Sequence, residues 1–196
     1  MDMMQIANMT GITMNAISTV INSYQIFKQS NVEKYFGQLI ETGIDLTAIG
    51  NDFELERRFY YIIDQVSRER NREKIAAWKT ATISLAFIED INLNEIDGHF
   101  QTLEYLIQFD LIVLHKIYTT DFEFVNFEKE LINFFAEKEI DSEYVRKSLR
   151  QLALHNLISE QYESTAMIVG SSANLQHFHY SKNKLGRQFL NFINKE

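Results

Sequence analysis

The sequence predicts a mainly α-helical protein that closes with a β-hairpin and one further helix. Over residues 12–156, apolar side chains recur every three or four positions, the spacing that places them on one face of a helix. Near the C-terminus, residues 157–162 have a strand-like composition, and residues 176–180 alternate between polar and aromatic side chains. The 196 residues contain no proline, so no ring clash interrupts a long helix.

Five helices are expected in the first 107 residues, separated by polar or glycine-containing breaks. Their predicted ranges are 12–27, 32–48, 53–69, 72–89 and 95–107. Ser30-Asn31 and Asn71 have side chains that cap helix N-termini, so they are predicted to begin the second and fourth helices. The apolar spacing of the third helix predicts that Phe53, Ile62 and Val66 turn toward the core.

The C-terminal part has the element order of a winged helix-turn-helix. Three helices are predicted at 109–118, 124–137 and 141–156. Asp141-Ser142 is expected to cap the third of them. A hairpin follows over about 157–180, with Gly170–Asn174 as its turn, and the last helix is expected to begin after a cap at Ser181. Three helices, a hairpin and a final helix are the parts of that fold.

The predicted fold class is therefore mainly α. An all-helical domain over residues 1–107 is expected to pack on a winged helix-turn-helix over residues 108–196, whose wing has two or three strands. The composition, 45% hydrophobic and 13% aromatic, is sufficient for a packed core. The absence of cysteine excludes disulfides, a thiol nucleophile and cysteine-ligated zinc. The sequence shows no signal peptide and no long apolar run, which predicts a soluble, cytoplasmic protein without membrane contact.

The charge is distributed unevenly along the chain. The formal net charge of -8 argues against non-specific nucleic-acid binding by the whole molecule. Residues 141–196, however, hold seven Lys and Arg against five Asp and Glu, a net charge of +2. The other 140 residues hold 12 against 22, a net charge of -10. This asymmetry predicts that any site for a polyanion lies in the C-terminal part.

The predicted helix 141–156 has the pattern of a DNA-recognition helix. Val145, Leu149 and Leu152 fall on one face, and three cations fall on the opposite face. Arginine can pair with guanine edges in the major groove, and lysine neutralises phosphate. The residues predicted to contact DNA are Ser142, Arg146, Lys147, Arg150, Gln151, Lys182, Lys184 and Arg187. A solvated surface face is the alternative, and the exposed-side Leu154 is better suited to a protein interface.

The end of the chain resembles the ending of many bacterial winged-helix regulators. The resemblance is carried by LALHNLISEQY and FHYSKNKLGRQFLNFI. The matching positions are Tyr180, Leu185, Gly186, Phe189 and Leu190, while Ser181-Lys182 stands where that family usually has Leu-Thr. The resemblance implies that Ser181 caps the last helix and that Gly186 lets this helix approach the sheet closely.

A second resemblance, to Abi-alpha (abortive infection) proteins of bacteria and phages, covers about residues 53–193. It is carried by Phe53-x-x-Glu56-Arg57-Arg58-Phe59, by Arg72-Glu73-Lys74-Ile75, by Ala81–Leu85 and by Phe109-Asp110-Leu111. Trp78 departs from the small or aliphatic residue usual in that family. The resemblance implies a helical domain ahead of a winged helix, and a role in phage defence or prophage biology.

Enzyme motifs are absent from the sequence. It contains no phosphate-binding glycine loop, dinucleotide fingerprint, nucleophile elbow or zinc-protease helix, so we expect neither an enzyme nor a cofactor. His177 and His179 lie two apart on a predicted strand, and with His155 or Glu160 nearby they would suit a metal. A pair of histidines on the solvent face of the strand is the more ordinary interpretation, and no metal site is predicted.

These observations predict a winged-helix DNA-binding protein, most simply a bacterial or phage transcriptional regulator. Its partner would be double-stranded DNA, and the N-terminal helices would form a homodimer. The alternative prediction is a non-enzymatic protein-interaction factor in phage defence or counter-defence. In that case the winged helix is a docking surface for a protein partner, and Leu154 is central to it.

Overall fold

The structure is a computed structural model that describes residues 14–44, 47–87, 93–120, 127–163 and 177–194. It is mainly helical, as predicted, and the described residues include one two-stranded antiparallel sheet. The chain divides into two compact units, Met1–Asp90 and Ile91–Glu196. None of the helices in the described ranges is both long and apolar enough to cross a membrane.

The first unit contains four helices among its described residues. They are α1 (Met14–Glu41), α2 (Thr47–Gly50), α3 (Phe53–Arg68) and α4 (Lys74–Ala86). Helix α1 packs against α3 and α4, and Tyr35, Ile62 and Trp78 are among the buried side chains of this core. The hydroxyls of Tyr35 and Thr82 are hydrogen-bonded at 2.5 Å, and burial raises the pKa of Tyr35 above its ordinary value.

Two predictions for the first unit are wrong. Ser30-Asn31 does not separate two helices, since α1 is continuous through both residues. The buried Asn31 side chain donates to the carbonyl oxygen of Glu69 at 2.7 Å, so it bonds a distant loop and not its own helix terminus. Phe53 does not turn inward. It is the first residue of α3, and its side chain is 76% exposed.

The predicted helix at 53–69 is confirmed, and its start has a clear cause. The carboxylate of Asp52 accepts hydrogen bonds from the backbone N–H groups of Glu54 and Leu55 at 2.8 and 3.1 Å. Asn71, predicted to cap the fourth helix, lies instead in the turn before α4, whose N-cap is Glu73, and its side-chain oxygen accepts from the N–H of Glu73 at 3.0 Å.

The second unit holds the remaining elements. They are α5 (Leu93–Tyr105), α6 (Gln108–Thr119), α7 (Phe127–Ala136), α8 (Ser142–Leu154), β1 (Ile158–Glu163), β2 (His177–Lys182) and α9 (Lys184–Ile193). The strands pair with Ile158 opposite Lys182 and Glu163 opposite His177. Helix α6 packs on α8 and α9, α7 packs on α8 and β2, and α8 packs on β1. The predicted turn at 170–174 lies outside the described residues.

Helix α5 belongs to the second unit, whereas the predicted domain boundary followed residue 107. The physical reason is an aromatic contact between α5 and α9. The rings of His99 and Phe100 lie 5.0 and 5.5 Å from the ring of Phe192. Tyr105, at the end of α5, stacks on His155 with ring centroids 5.8 Å apart. These contacts give α5 its apolar partners within residues 91–196.

The last helix, α9, is capped by a different residue from the one predicted. Ser181 lies within β2, and the helix cap is Asn183, whose side-chain oxygen accepts from the N–H of Gly186 at 2.8 Å. The cap lies two residues later than predicted because the strand pairing continues to Lys182. The close approach predicted at Gly186 is confirmed, since a Cβ there would clash with the Leu157 carbonyl oxygen.

Candidate macromolecule-binding surface

Helix α8 is fixed to the second unit through its inner face. Val145, Leu149 and Leu152 are fully buried, as the sequence predicts. Between them the hydroxyl of Ser148 donates to the carboxylate of Asp110 at 2.7 Å, and both side chains are buried. The other oxygen of Asp110 accepts from the backbone N–H of Ile107 at 2.9 Å. One carboxylate therefore connects the start of α6 with the middle of α8.

The first turn of α8 is capped as predicted, and its first cation is neutralised. The carboxylate of Asp141 accepts from the N–H of Glu143 at 2.7 Å. Arg146 donates to the carboxylates of Glu128 at 2.9 Å and Glu143 at 2.6 Å, and its guanidinium also lies 3.4 Å from the hydroxyl of Ser142. The carboxylate of Glu128, followed by that of Glu143, raises the pKa of Arg146 above its ordinary value.

Two cations of α8 point to solvent. Lys147 and Arg150 are exposed, and neither makes an ion pair with another residue that the structure describes. The partly exposed Gln151 follows them on the same helix. Arg150 lies near the start of the hairpin, where its charge opposes the rise in the pKa of Tyr180 that burial and Glu160 produce.

The three basic residues predicted to contact DNA after the hairpin differ in how accessible their charges are. Lys182 donates to the carbonyl oxygen of Thr120 at 2.8 Å, so its ammonium group is bonded to the end of α6. Lys184 and Arg187 are exposed on α9. Residues 91–196 as a whole hold ten Lys and Arg against fifteen Asp and Glu, a net charge of -5. The cations available to a polyanion therefore lie on an acidic unit.

An aromatic groove of about 160 Å³ lies between α8 and the connection from α5 to α6. Its lining residues are Tyr105, Ile107, Phe109, Asp110, Tyr144, Lys147, Ser148 and Gln151. Tyr105 is 71% exposed and Tyr144 is 61% exposed. The ring of Phe109 contacts that of Tyr144 edge to face, with centroids 6.4 Å apart. Asp110 and Ser148, which are bonded to each other, contribute polar groups to the lining.

Three residues of this surface were not predicted from the sequence, namely Tyr105, Ile107 and Tyr144. The signal for Tyr144 was present, since it lies three residues before Lys147 on the predicted outward side of the helix. Leu154, which the sequence indicates as exposed, is 72% exposed. The outer face of α8, defined by Tyr144, Lys147, Arg150 and Leu154, thus combines two large apolar side chains with two cations.

The histidines of β2 form no metal site that the structure records. Within the described ranges, no group of three or more His, Asp or Glu side chains is arranged to hold an ion. The side chain of His177 lies outside the described residues. No protein-family model, curated protein or solved structure matches this chain.

Proposed function

We propose that the outer face of α8 docks a protein and that the chain is a non-enzymatic protein-interaction factor. The observation that carries this proposal is a cluster of exposed, large apolar side chains on one side of the second unit. Tyr105, Ile107 and Tyr144, which line the groove, are 71, 54 and 61% exposed, and Leu154, farther along the outer face of α8, is 72% exposed. Exposed apolar clusters beside polar groups are typical of protein interaction sites.

The composition of this surface is that of an interface centre. Tyrosine is enriched among the residues that contribute most to protein binding, because its ring excludes water while its hydroxyl can bond. The groove beside Tyr144 offers a concave apolar surface for a partner's side chain. Each carboxylate oxygen of Asp110 accepts a hydrogen bond, so burial of the groove leaves neither oxygen without a donor.

Duplex DNA is the second candidate partner, and the exposure of Lys147 and Arg150 favours it. The order of α6, α7, α8, the hairpin and α9 is that of a winged helix, and a transcriptional regulator of this kind would place α8 in the major groove. We rank it second because Arg146 is neutralised by two carboxylates and residues 91–196 carry a net charge of -5.

Two further parts of the proposal concern assembly and pathway. A homodimer fits either partner, and twofold dimers are the commonest oligomers. The Abi-alpha resemblance adds the prediction that the docked protein acts in phage defence or counter-defence. Plaque counts on cells that express the chain, compared with cells that express Leu154→Ser, measure this directly.

Photochemical crosslinking tests which class of partner binds. The amino acid p-benzoylphenylalanine replaces Tyr144 in one chain and, as control, the exposed Tyr24 of α1 in another. After illumination in cells, we expect at position 144 an adduct of higher mass that nuclease leaves intact. The adduct should be lost when Leu154→Ser is added, and no equivalent adduct should form at position 24.

The same experiment shows when the proposal is wrong. An adduct at position 144 that nuclease removes would support duplex DNA as the partner. Binding of the chain to its own upstream DNA over a scrambled duplex, weakened by salt and by Lys147→Ala with Arg150→Ala, would establish the regulator. Each cation that contacts phosphate steepens the loss of affinity with salt.

A further inference from the structure

The start of α3 exposes an aromatic ring beside carboxylates, one of which, Glu54, is paired with Arg57 and Arg58. Phe53 is 76% exposed, and phenylalanine has no polar group with which to bond water. Asp52 precedes it, and Glu54 and Glu56 follow it. Helical spacing places Phe53, Glu56 and the 60%-exposed Tyr60 on one side of α3. The hydroxyl of Tyr60 donates to the carboxylate of Glu56 at 2.9 Å.

This surface is chemically complementary to the aromatic groove beside α8. The groove has exposed tyrosine walls and a lysine, Lys147, that makes no ion pair with another described residue. The side of α3 that carries Phe53 has an exposed ring and, one helical turn later, the carboxylate of Glu56. Aromatic rings pair favourably when one ring meets another at its edge, and an opposite charge beside them selects the orientation.

We infer that the start of α3 from a second copy of this chain occupies the aromatic groove. The ring of Phe53 would enter between Tyr105 and Tyr144, and the carboxylate of Glu56 would lie against Lys147. The inference rests on the proposed function and names its partner. Because each copy carries both surfaces, the contact joins the start of α3 of one copy to the aromatic groove of another.

Charge also favours a second copy over duplex DNA at this groove. A neutral ring beside one carboxylate matches an apolar groove with a single lysine, whereas a duplex would bring several phosphates to an acidic unit. At physiological salt the field of distant charges is screened beyond about 8 Å. The net charge of -8 on each copy therefore acts on the contact mainly through the charges that lie close to it.

Sedimentation equilibrium of the full chain over a range of concentrations tests the inference. We expect a monomer–dimer equilibrium whose dissociation constant rises about tenfold or more in Phe53→Ser and in Tyr144→Ser. Ile26→Ser, which changes a 68%-exposed side chain of α1, is the matched control and should change the constant less than about twofold. All three sites are exposed, so each variant should keep the unfolding midpoint of the parent chain.

A charge exchange tests the pairing itself. Glu56→Lys and Lys147→Glu should each weaken the dimer about threefold or more, and one chain that carries both changes should regain most of the affinity. A monomer at every concentration, or a dimer insensitive to these changes, overturns the inference. If position 144 still gives its protein adduct in that case, the docking function stands with a different partner. If that adduct is also absent, both proposals fail.

Discussion

The join between β2 and α9 and the outer face of α8 belong to the same unit and differ in nearly every physical respect. At the join, the hydroxyl of Tyr118 donates to Leu157 at 2.7 Å and accepts from the N–H of Asn183 at 3.0 Å. Gly186 has no space for a Cβ. On the outer face of α8, Tyr144 and Leu154 are exposed. Substitutions at the join should therefore lower the stability of the fold, whereas substitutions on the outer face should weaken binding.

The largest effect at the join is expected at Gly186. In Gly186→Ala the added methyl group would overlap the carbonyl oxygen of Leu157 and the hydroxyl of Tyr118, so the helix must move away from the strand. We expect a loss of about 3 kcal/mol in the free energy of unfolding, measured by urea titration with circular dichroism. Gly98→Ala is the control, since nothing lies within 4 Å of a Cβ there and the change should stabilise α5 by up to about 1 kcal/mol.

The next largest loss of stability is expected when the hydrogen bond between Asp110 and Ser148, which holds α8 in place, is removed. Asp110→Ala removes the acceptor of two donors, the buried Ser148 hydroxyl and the N–H of Ile107. We expect a cost of about 2–3 kcal/mol in the free energy of unfolding. A double-mutant cycle with Ser148→Ala should give a coupling energy of about 1 kcal/mol. Strictly additive costs would show that the two side chains do not cooperate.

Tyr118→Phe tests the hydroxyl at the join without changing its ring. Burial raises the pKa of Tyr118, which keeps its hydroxyl protonated and able to donate to Leu157. Loss of this group should lower the free energy of unfolding by about 1–2 kcal/mol, because the N–H of Asn183 also loses its acceptor. Tyr144→Phe, at an exposed hydroxyl on the outer face of α8, should stay within about 0.5 kcal/mol of the parent chain.

Stability should also depend on pH through His99, which faces α9. Burial lowers the pKa of His99 below its ordinary value, and the nearby Glu95 opposes this only in part. The unfolded chain then binds more protons than the folded chain between the two pKa values, so stability is complete above about pH 6.5 and falls as the pH decreases below it. The urea midpoint should therefore drop between about pH 7.5 and about pH 5.5, and His99→Gln should reduce the drop. An unchanged drop in the variant would assign the effect to other groups.

Much of the fold was predictable because its causes are local in sequence. The apolar spacing of α3, α6 and α8 and the cap at Asp141 follow from residues within one or two turns. The close approach at Gly186 was implied by the resemblance, and its partner Leu157 lies 29 residues away. The continuous α1 was not predictable in this way. Asn31 is a capping residue by type, and its partner, the carbonyl oxygen of Glu69, lies 38 residues away.

The candidate site was predictable only in outline. Periodicity identified which face of α8 is outward, and Lys147, Arg150 and Leu154 are exposed on it. It did not indicate that Glu128 of α7 lies against Arg146, because that pair is 18 residues apart and depends on how two helices pack. The aromatic groove likewise needs Tyr105 from α5 beside Tyr144 from α8, a juxtaposition that no local pattern contains.

The smallest effect on stability is expected at Leu154, and it separates the two regions most sharply. Leu154→Ser changes a side chain that is 72% exposed, so the free energy of unfolding should move by no more than about 0.5 kcal/mol. Leu152→Ser, two residues earlier at a fully buried position, should cost several kcal/mol, on the order of 3 or more, because it places a hydroxyl in the apolar core. With stability preserved, Leu154→Ser should still lose the protein adduct at position 144. A stable variant that keeps the full adduct would show that Leu154 is an exposed leucine outside the interface.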